Sequence, residues 1–444
     1  MEAGLRAELT PLAGPLAGRR VLVLASGSIA AVKLPGIVSA LVQKGAVVRC
    51  VLSPSAARLT SPVALASLSR NPCHLEEDQW SHRAPRPLHV ELAEWAEVVL
   101  LAPLSASTLA RWVHGLADTL VASTLMACEA PVLAAPAMNT AMWAAPAVQR
   151  NWSELLEMER VLPLPPGSGL LACDRRGEGR MAEAGLILVA LESLVLRGWR
   201  RDWRGRRLLV SAGPTRERLD PARCLTNPST GLMGVLLAQA ARLRGASVDL
   251  VHGPLSVDAA LLEGLRRHPI ESAQELQARL QTLQPRADAV AMAAAVADHR
   301  PVHRELRKLP KQELTAALSS WEPVPDLLAE LVRRRPPGQS ILGFAAQTGD
   351  VLPQARRKFA GKGCDLLFAN PVDDPRAGFG SPTNEGWLLG PGERVVRIPR
   401  ADKLAVAHRL LSALAELAAA GAAPPPIQLV ESRGVAPGAG EEHR

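Results

Sequence analysis

Two stretches of this chain begin in the same way, with an apolar β-rich run that ends in a turn of small residues. In the N-terminal half, the run RVLVLA (Arg20–Ala25) leads into Ser-Gly-Ser and then a helical pattern. In the C-terminal half, the run RLLVS (Arg207–Ser211) leads into Ala-Gly-Pro-Thr. A buried strand followed by a tight turn and a helix is the first unit of a parallel α/β sheet. The repetition predicts two α/β domains.

Further apolar runs follow in each half, at spacings that leave room for a helix between them. They cover residues 47–52, 97–102 and 131–135, and then 247–252, 288–294, 341–345 and 365–369. Continuous apolar strands that alternate with helices are typical of parallel sheets covered on both faces. We therefore predict two Rossmann-like three-layer domains, each with a mainly parallel sheet.

The predicted domain boundaries follow from changes in composition. Arginine and tryptophan interrupt the apolar periodicity at 196–205 (LRGWRRDWRG), so we place the domains at 19–195 and 206–422. Residues 423–444 are rich in proline, glycine and polar residues, which predicts a disordered tail. Residues 1–18 are also expected to be loosely attached.

Composition narrows the range of functions. No apolar run reaches the roughly 18 residues of a membrane helix, and the N-terminus has no secretory signal pattern. These features predict a cytoplasmic protein with no membrane partner. The net charge of +8 is spread along the chain, tyrosine is absent and phenylalanine occurs four times. Without a basic-aromatic face, anionic small molecules are favoured over nucleic acid as partners.

The six cysteines are far apart and include no CxxC pair, which argues against a zinc site or a disulfide framework. Cys173 differs from the others because it lies in a charged, glycine-containing segment, LACDRRGEGRM. A thiol near arginine is a candidate proton donor or acceptor, and an ordinary surface loop is the alternative.

Candidate site residues in the N-terminal half follow predicted strands, because ligands of parallel α/β sheets lie beyond the carboxyl ends of the strands. Gly27 and Ser28 suit a phosphate-binding turn at a helix N-terminus, although such turns also occur without a ligand. Asn139 could place an amide at the same edge. His89 precedes an amphipathic segment and is either an acid–base group or a packing residue.

The C-terminal half carries a second set of candidates. Backbone amides and hydroxyls of 227–231 could bind phosphates at the start of a helix. Asp298 follows a strand of very small residues and offers a carboxylate to Mg²⁺. Lys308 and Lys311 lie on a proline-containing loop that could reach anionic groups or simply be solvated.

Taken together, these segments resemble one family, the bifunctional coenzyme A biosynthesis proteins (CoaBC, or Dfp). GSIAAVK, HVELAEWAE, PAMNTAMW and GEGRM are similar, in order, to its flavoprotein decarboxylase half. AGPTRE, LDPARCLTN, AAAVADHRP, ILGFAAQT and DLLFANP are similar, in order, to its ligase half. The resemblance extends over about residues 19–420 and implies a phosphopantothenoylcysteine decarboxylase joined to a phosphopantothenate–cysteine ligase.

For the first half, the resemblance implies an FMN-dependent decarboxylation that yields 4′-phosphopantetheine. His89 matches the active-site histidine, Asn139 the asparagine that contacts the substrate carboxylate, and Cys173 the cysteine that protonates the intermediate. The residues expected at FMN are Gly27, Ser28, Ser53, Ser105 and Met138.

For the second half, the resemblance implies ligation of 4′-phosphopantothenate with cysteine through an acyl-cytidylate, with CTP as co-substrate and Mg²⁺ as counter-charge. Lys308 matches the lysine of the activation step, and Asn227 a residue near the acyl intermediate. Asp298 is the expected magnesium ligand. The other expected nucleotide- or substrate-binding residues are Gly213, Arg223, Ala293, Asp298, Lys311, Phe344, Lys362 and, from the first half, Arg180.

The sequence departs from the family pattern in several places, of which the loss of a phosphate-side lysine matters most. Leu232 stands where the family's phosphate-side loop has lysine, and loss of that cation could cost about 1–3 kcal/mol of binding. Asp174 and Arg175 replace the Gly and Asp that follow the family's cysteine. An active decarboxylase with a weakened or inactive ligase half is therefore the alternative, and a non-catalytic flavin-fold regulatory subunit is a more distant one.

The resemblance also implies assembly. The family forms trimeric decarboxylase units, often combined into dodecamers, with ligase dimers projecting outward. We therefore expect a homo-oligomer.

Overall fold

The computed structural model describes residues 14–81, 85–172, 174–392 and 394–420. Within this part of the chain, each half is built around its own sheet, of six strands in the first domain and eight in the second. Alternate residues of the central strand of each sheet pack into separate apolar clusters on the two faces. The predicted α/β class with two Rossmann-like domains is confirmed.

Within the described ranges, the first domain contains eight strands and nine α-helices. The strands are β1 (Arg20–Ala25), β2 (Val47–Leu52), β3 (Cys73–His74), β4 (Val98–Leu104), β5 (Val132–Pro136), β6 (Val161–Pro163), β7 (Gly167–Leu170) and β8 (Arg176–Arg180). The helices are α1 (Leu34–Gln43), α2 (Pro54–Ala57), α3 (Pro62–Ser69), α4 (Leu88–Trp95), α5 (Ala106–Val113), α6 (Leu120–Ala127), α7 (Thr140–Ala144), α8 (Pro146–Glu157) and α9 (Ala184–Arg197). The main sheet has the order β3-β2-β1-β4-β5-β6, and every pair in it is parallel. Strands β7 and β8 form a separate antiparallel hairpin, which we call hairpin 167–180.

The second domain repeats this order and adds an antiparallel edge. Its strands are β9 (Arg207–Ala212), β10 (Arg216–Arg218), β11 (Cys224–Thr226), β12 (Ser247–His252), β13 (Arg266–Pro269), β14 (Ala289–Met292), β15 (His299–Pro301), β16 (Trp321–Pro323), β17 (Ser340–Gln347), β18 (Leu366–Pro371), β19 (Thr383–Leu389) and β20 (Val395–Asp402). Its helices are α10 (Leu232–Leu243), α11 (Ala273–Leu283), α12 (Lys311–Leu318), α13 (Leu327–Arg334), α14 (Val351–Lys362) and α15 (Lys403–Ala420). The main sheet has the order β13-β12-β9-β14-β17-β18-β19-β20, in which β19 and β20 run antiparallel to their neighbours.

The strand order explains where ligands can bind. In both sheets the first strand, β1 or β9, lies in the middle. The next two strands are added on one side of it and the later strands on the other side, so the strand order reverses at this point. At such a switch point the two neighbouring connections leave to opposite faces, so a crevice opens beyond the carboxyl ends of the strands. Each domain therefore has one candidate site at a known edge of its sheet.

The segment between the domains is packed rather than loose. Trp203 is fully buried in the core of the second domain. Helix α9 contacts α15, where His408 Nε2 lies 3.0 Å from Ser193 Oγ. The expected loose attachment of residues 1–18 is wrong for 14–18, because Leu16 is fully buried in the first core. The predicted tail at 423–444 lies outside the described residues.

None of the helices within the described ranges combines the length and the hydropathy needed to cross a bilayer.

Candidate active sites

A cavity of about 680 Å³ opens at the carboxyl edge of the first sheet. The turn after β1, the start of α5, the loop after β5 and hairpin 167–180 form its walls. Its lining is mostly small and apolar. The expected residues found in this lining are Gly27, Ser28, Ser105, Met138, Asn139 and Arg180.

The turn after β1 is fixed by a buried serine. The Ser26 hydroxyl donates to the Pro103 carbonyl at 2.8 Å and accepts from the Ser105 amide at 2.7 Å, which joins the ends of β1 and β4. At Gly27 a Cβ atom would lie 2.5 Å from the Ser55 Cβ, so a side chain there would force the turn out of place. Ser28 then caps a short 3₁₀ turn at the cavity wall. The backbone amides at the start of this turn therefore lie beside the cavity.

The loop after β5 is held by hairpin 167–180. The Met138 amide donates to the Gly179 carbonyl at 2.9 Å. Gly179 has a φ of +130°, and a Cβ atom there would collide with the Met138 carbonyl oxygen. Asn139 caps α7, and its Oδ1 accepts from the Ala141 amide at 2.8 Å. The loop and the hairpin therefore form one structural unit beside the cavity.

The tip of the hairpin carries one of the departures from the family pattern. Cys173 lies outside the described residues, but Leu171 and Ala172 line the cavity. Asp174 adopts a left-handed backbone with a φ of +60°, and its amide donates to the Leu171 carbonyl at 3.0 Å. Glycine adopts this conformation freely, whereas a residue with a Cβ is strained in it. Asp174 thus replaces glycine at a position whose backbone favours glycine.

Two cations and one carboxylate lie together at the cavity wall. Lys33 Nζ is 3.0 Å from Glu183 Oε2, and Arg180 also pairs with Glu183. Burial by itself raises the pKa of Glu183, but the hydrogen bonds and charges of Lys33 and Arg180 outweigh it and lower the pKa overall. A second carboxylate, Glu263, interacts with Glu183, Lys33 and Arg180, so two cations stand beside two carboxylates. Lys33 and Arg180 line the cavity and are the groups that an anion would contact. Lys33 closes the GSIAAVK segment but was not among the residues expected to bind a ligand.

Two expected residues do not line this cavity. Ser53 caps α2 by accepting from the Ala56 amide at 3.2 Å. His89 is half-buried in the first turn of α4. Around the opening, large apolar side chains stand about half exposed, namely Ile29, Val32, Met142 and Leu170.

A second cavity, of about 290 Å³, lies at the carboxyl edge of the second sheet. Its walls are the 227–234 segment, the 293–298 loop, the ends of β17 and β18, and the residues that flank β19 and β20. Of the expected residues, Asn227, Ala293, Asp298 and Phe344 line it. Phe344 also packs edge-to-face on Phe368, with ring centroids 5.8 Å apart.

The first turn of α10 forms one wall of the second cavity. Gly231 precedes the helix with a φ of +81°, and a Cβ atom there would collide with the Leu255 side chain. The N-cap residue Gly231 has no side chain, but the Thr230 hydroxyl accepts from the Leu232 amide at 3.3 Å. The amides that follow Leu232 in this turn are available to an anion, as at other helix N-termini. Leu232, the first residue of α10, contributes no charge.

The opposite wall, the 293–298 loop, is held by residues of the other connections. Ala294 donates to the Ser211 hydroxyl at 3.1 Å, and Ala295 donates to the Gly213 carbonyl at 2.9 Å. Asn227 Nδ2 donates to the carbonyls of Ala295 and Val296 at 3.2 and 3.0 Å. Gly213 and Asn227 thus fix the backbone of this wall.

The predicted lysine loop lies beside the second cavity rather than in it. Lys308 and Lys311 are exposed and do not line it. Fully buried Asp220 anchors the loop by accepting from the Leu309 amide at 3.2 Å and from Arg223 Nη1 at 2.9 Å. Arg223 also donates to the Leu309 carbonyl at 3.2 Å, so its guanidinium holds the loop.

Lys362 is likewise outside this cavity, where it pairs with Asp326 at the end of α14. Sequence reasoning missed four polar residues of the lining: Lys358, Asn370, Asn384 and Lys403. Asn384 lies in β19 and Lys403 directly follows β20, and the sequence analysis did not predict these antiparallel strands. No strand pattern therefore pointed to them.

Magnesium would depend on few protein ligands here. Among the described residues, no three His, Cys, Asp or Glu side chains are grouped to hold a metal ion. Asp298 is exposed at the cavity and is a single carboxylate. Mg²⁺ commonly binds through one or two carboxylates together with substrate phosphates and waters, so Asp298 is compatible with it.

Fold and sites define a two-domain Rossmann-type protein with an apolar, cofactor-sized cavity in one domain and a polar, phosphate-type cavity in the other. Two family models match the chain. The model described as "Flavoprotein" matches residues 10–196, and the model described as "DNA/pantothenate metabolism flavoprotein C-terminal domain" matches residues 203–417.

Relatives extend over both domains. The coenzyme A biosynthesis bifunctional protein CoaBC of Bacillus subtilis is 36% identical over 404 residues, which cover 90% of this chain and 98% of that protein. The CoaBC of Mycolicibacterium smegmatis is 37% identical over 412 residues, which cover 90% and 98%. The CoaBC of Escherichia coli is 35% identical over 399 residues, which cover 88% and 95%. The chain therefore belongs to the CoaBC family.

Solved structures match each domain separately. The C-terminal domain of a CoaBC is 29% identical, covers 49% of this chain and 97% of that chain, and has a TM-score of 0.41. A PPC decarboxylase mutant complexed with pantothenoylaminoethenethiol is 36% identical, covers 38% and 94%, and has a TM-score of 0.36.

Proposed function

We propose that this chain performs two reactions of coenzyme A biosynthesis. The second domain joins 4′-phosphopantothenate to cysteine, and the first domain decarboxylates the resulting phosphopantothenoylcysteine to 4′-phosphopantetheine. The observation that carries this proposal is one CoaBC-family chain with two chemically different cavities, one at the carboxyl edge of each sheet. The full-length relatives do not favour a non-catalytic regulatory subunit.

FMN suits the first cavity. The flavoprotein family model covers this domain. The lining offers a large apolar surface for a ring system and the Gly27–Ser28 turn for a phosphate. FMN, when bound, supplies the redox chemistry that oxidises the cysteinyl thiol group and later returns the electrons.

The chain's own residues position the substrate and move protons. We assign Asn139 to the substrate carboxylate, which leaves as CO₂, and the Lys33–Arg180 pair to an anionic group of the substrate or cofactor. Cys173 Sγ is assigned the proton that completes the product. The hairpin that carries Cys173 also excludes water from the cavity. The Met138–Gly179 hydrogen bond holds the loop that carries Asn139 against hairpin 167–180.

In the second cavity, the phosphopantothenate carboxylate attacks the α-phosphorus of CTP and releases pyrophosphate. The cysteine amine then attacks the acyl carbon and displaces CMP. The first-turn amides of α10 bind phosphate oxygens, and Asp298 helps to hold Mg²⁺. Lys308 precedes Leu309, which Asp220 anchors, and we assign its long side chain to reach the nucleotide from beside the cavity. Phe344 and Ala293 supply contact surface to the nucleotide.

We further propose a cytoplasmic homo-oligomer. The half-exposed Ile29, Val32 and Met142 at the opening of the first cavity are apolar surface that a second copy would cover. His89 lies outside the cavity of its own chain, so it would serve the cavity of a neighbouring copy. Mass photometry should show trimers or multiples of three, such as dodecamers. Full decarboxylase activity from a monomer would contradict this assembly.

The deciding experiment uses purified protein with FMN, 4′-phosphopantothenate, cysteine, CTP and Mg²⁺, followed by mass spectrometry. Appearance of 4′-phosphopantetheine establishes both activities. Accumulation of phosphopantothenoylcysteine means an active ligase with an inactive decarboxylase. If neither forms, added phosphopantothenoylcysteine tests the decarboxylase alone, and its conversion would establish the alternative with an inactive ligase. Replacing CTP by ATP measures the nucleotide preference.

A further inference from the structure

Lys403 is a buried cation without an anionic partner. It is the first residue of α15, only 3% of its surface is exposed, and it lines the second cavity. Its Nζ donates to the Gly378 carbonyl at 2.8 Å. Within the described part of the chain, no carboxylate lies within ion-pair distance of this ammonium. The adjacent Asp402 carboxylate instead accepts from the Leu404 amide at 2.8 Å.

Such an arrangement is unfavourable unless a ligand completes it. An ammonium group has three N–H donors, and one carbonyl satisfies only one of them. A buried charge without a counter-charge is costly. Burial lowers the pKa of Lys403 to about 8, and the nearby charge of Asp402 offsets this effect only in part. The remaining donors of this group require an acceptor from the cavity, and an anion would also supply the missing charge.

The surroundings indicate which anion. Helices α10 and α15 pack side by side and both begin at the carboxyl edge of the sheet, and the first turn of α10 lines the same cavity as Lys403. Leu232 brings no charge to that turn, and its amide donates to the Thr230 hydroxyl at 3.3 Å, which leaves the amides that follow it for a ligand. Asn384 contributes an amide, whose Oδ1 accepts from the Glu385 amide at 3.0 Å. Helix N-terminal amides beside an ammonium are the donor set typical of phosphate sites.

We propose that Lys403 binds a phosphate group of a ligase substrate, together with the first-turn amides of α10. This inference rests on the proposed ligase function and assigns the cation that Leu232 does not supply. The phosphate belongs either to the polyphosphate of the nucleotide or to 4′-phosphopantothenate. The two sources share the chemistry and are separated by the experiment.

The test compares substitutions that separate charge from structure. Lys403→Gln keeps an N–H donor for the Gly378 carbonyl and loses the charge, whereas Lys403→Arg keeps the charge. Arg409→Met is the matched control, because Arg409 is an exposed cation on the same helix. For each protein the ligase KM is measured separately for CTP, 4′-phosphopantothenate and cysteine. Decarboxylase activity and the unfolding midpoint check the fold.

We expect K403Q to raise the KM of one phosphate-bearing substrate about 10- to 100-fold, the range of a charged hydrogen bond. The KM of cysteine should not change, and K403R should be closer to wild type than K403Q. A rise for CTP alone assigns the nucleotide, and a rise for 4′-phosphopantothenate alone assigns the acid substrate. Unchanged constants in K403Q overturn the inference. Equal changes in all three constants with a lowered unfolding midpoint also overturn it, because they indicate a structural role.

The role of Lys403 can be tested separately from the proposed ligase function. If wild-type protein has no ligase activity, calorimetric titration of wild type and K403Q with CTP and with pyrophosphate still tests Lys403. Weaker binding to K403Q supports the phosphate site. Equal binding, or no binding to either protein, overturns it.

Discussion

The Met138 amide donates a 2.9 Å hydrogen bond to the Gly179 carbonyl, and this contact joins the two segments that flank the first cavity. One segment continues into Asn139, and the other is the hairpin whose tip carries Cys173. Because the two candidate groups come from segments about 35 residues apart, their relative position depends on this contact. The decarboxylase should therefore be more sensitive to backbone changes here than to changes in the sheet.

Gly179→Ala tests this dependence. A Cβ at residue 179 would collide with the Met138 carbonyl oxygen, and the φ of +130° is unfavourable for alanine. We expect decarboxylase activity to fall at least 10-fold while ligase activity is kept, as measured with each substrate separately. Gly36→Ala is the control, since a Cβ on this exposed helical glycine meets no atom within 4 Å. Equal activity of G179A and wild type would contradict the proposed role of the contact.

The backbone strain at Asp174 can be tested by substitutions that relieve it or increase it. Its φ of +60° is strained for any residue with a Cβ, so Asp174→Gly should relieve about 0.5–1 kcal/mol in the hairpin. Asp174→Ala should add strain, because alanine lacks the side-chain oxygen that makes this conformation tolerable for aspartate. Limited trypsin cleavage at the adjacent Arg175 and Arg176 measures opening of the hairpin. We expect cleavage of D174A to be fastest and that of D174G slowest, and the reverse order would refute the strain.

Asp220→Asn tests the anchor of the lysine loop. Asp220 Oδ2 accepts from the Leu309 amide and Arg223 Nη1, and Oδ1 accepts from the amides of Ala222 and Arg223. A carboxamide has one acceptor oxygen, so it turns its NH₂ group toward one of these two pairs of donors. We expect ligase kcat to fall about 10-fold or more, with decarboxylase activity unchanged. Glu313→Gln, which removes an exposed ion-pair partner near the same loop, is the control. Loss of ligase activity in both variants would point to a general loss of structure instead.

His408 makes the contact between the domains dependent on pH. Burial, with the nearby charge of Arg244, lowers the pKa of His408 to about 3, while the unfolded chain titrates near its ordinary value of 6.5. Between these values the unfolded state binds the extra proton, so the free energy of unfolding decreases as the pH falls from 6.5 toward 3. His408→Gln removes this titration and should flatten the curve in that range, measured by urea unfolding. If the free energies of unfolding of wild type and H408Q changed in parallel with pH, the proposed titration of His408 would be contradicted.

Strands with strong apolar runs were predicted closely. The structure gives the predicted bounds for β1, β2 and β12, and β9 and β18 differ by one or two residues. In β1, β2, β9 and β18 most residues are buried, so apolar side chains predominate and the boundaries are visible in the sequence itself. The antiparallel edge was not predicted, because β20 (VVRIPRAD) has one buried residue, Ile398, and its apolar run is interrupted by charged residues and a proline.

The local sequence determined the class of fold, the turns that follow the central strands and the family motifs, since each depends on residues that are neighbours in the chain. Tertiary structure decided which of these residues share a cavity. It placed Asn139 and Gly27 together, left Lys308 and His89 outside, and brought Lys403 beside the first turn of α10. These placements depend on the packing of helices and strands far apart in sequence, and no local pattern encodes them.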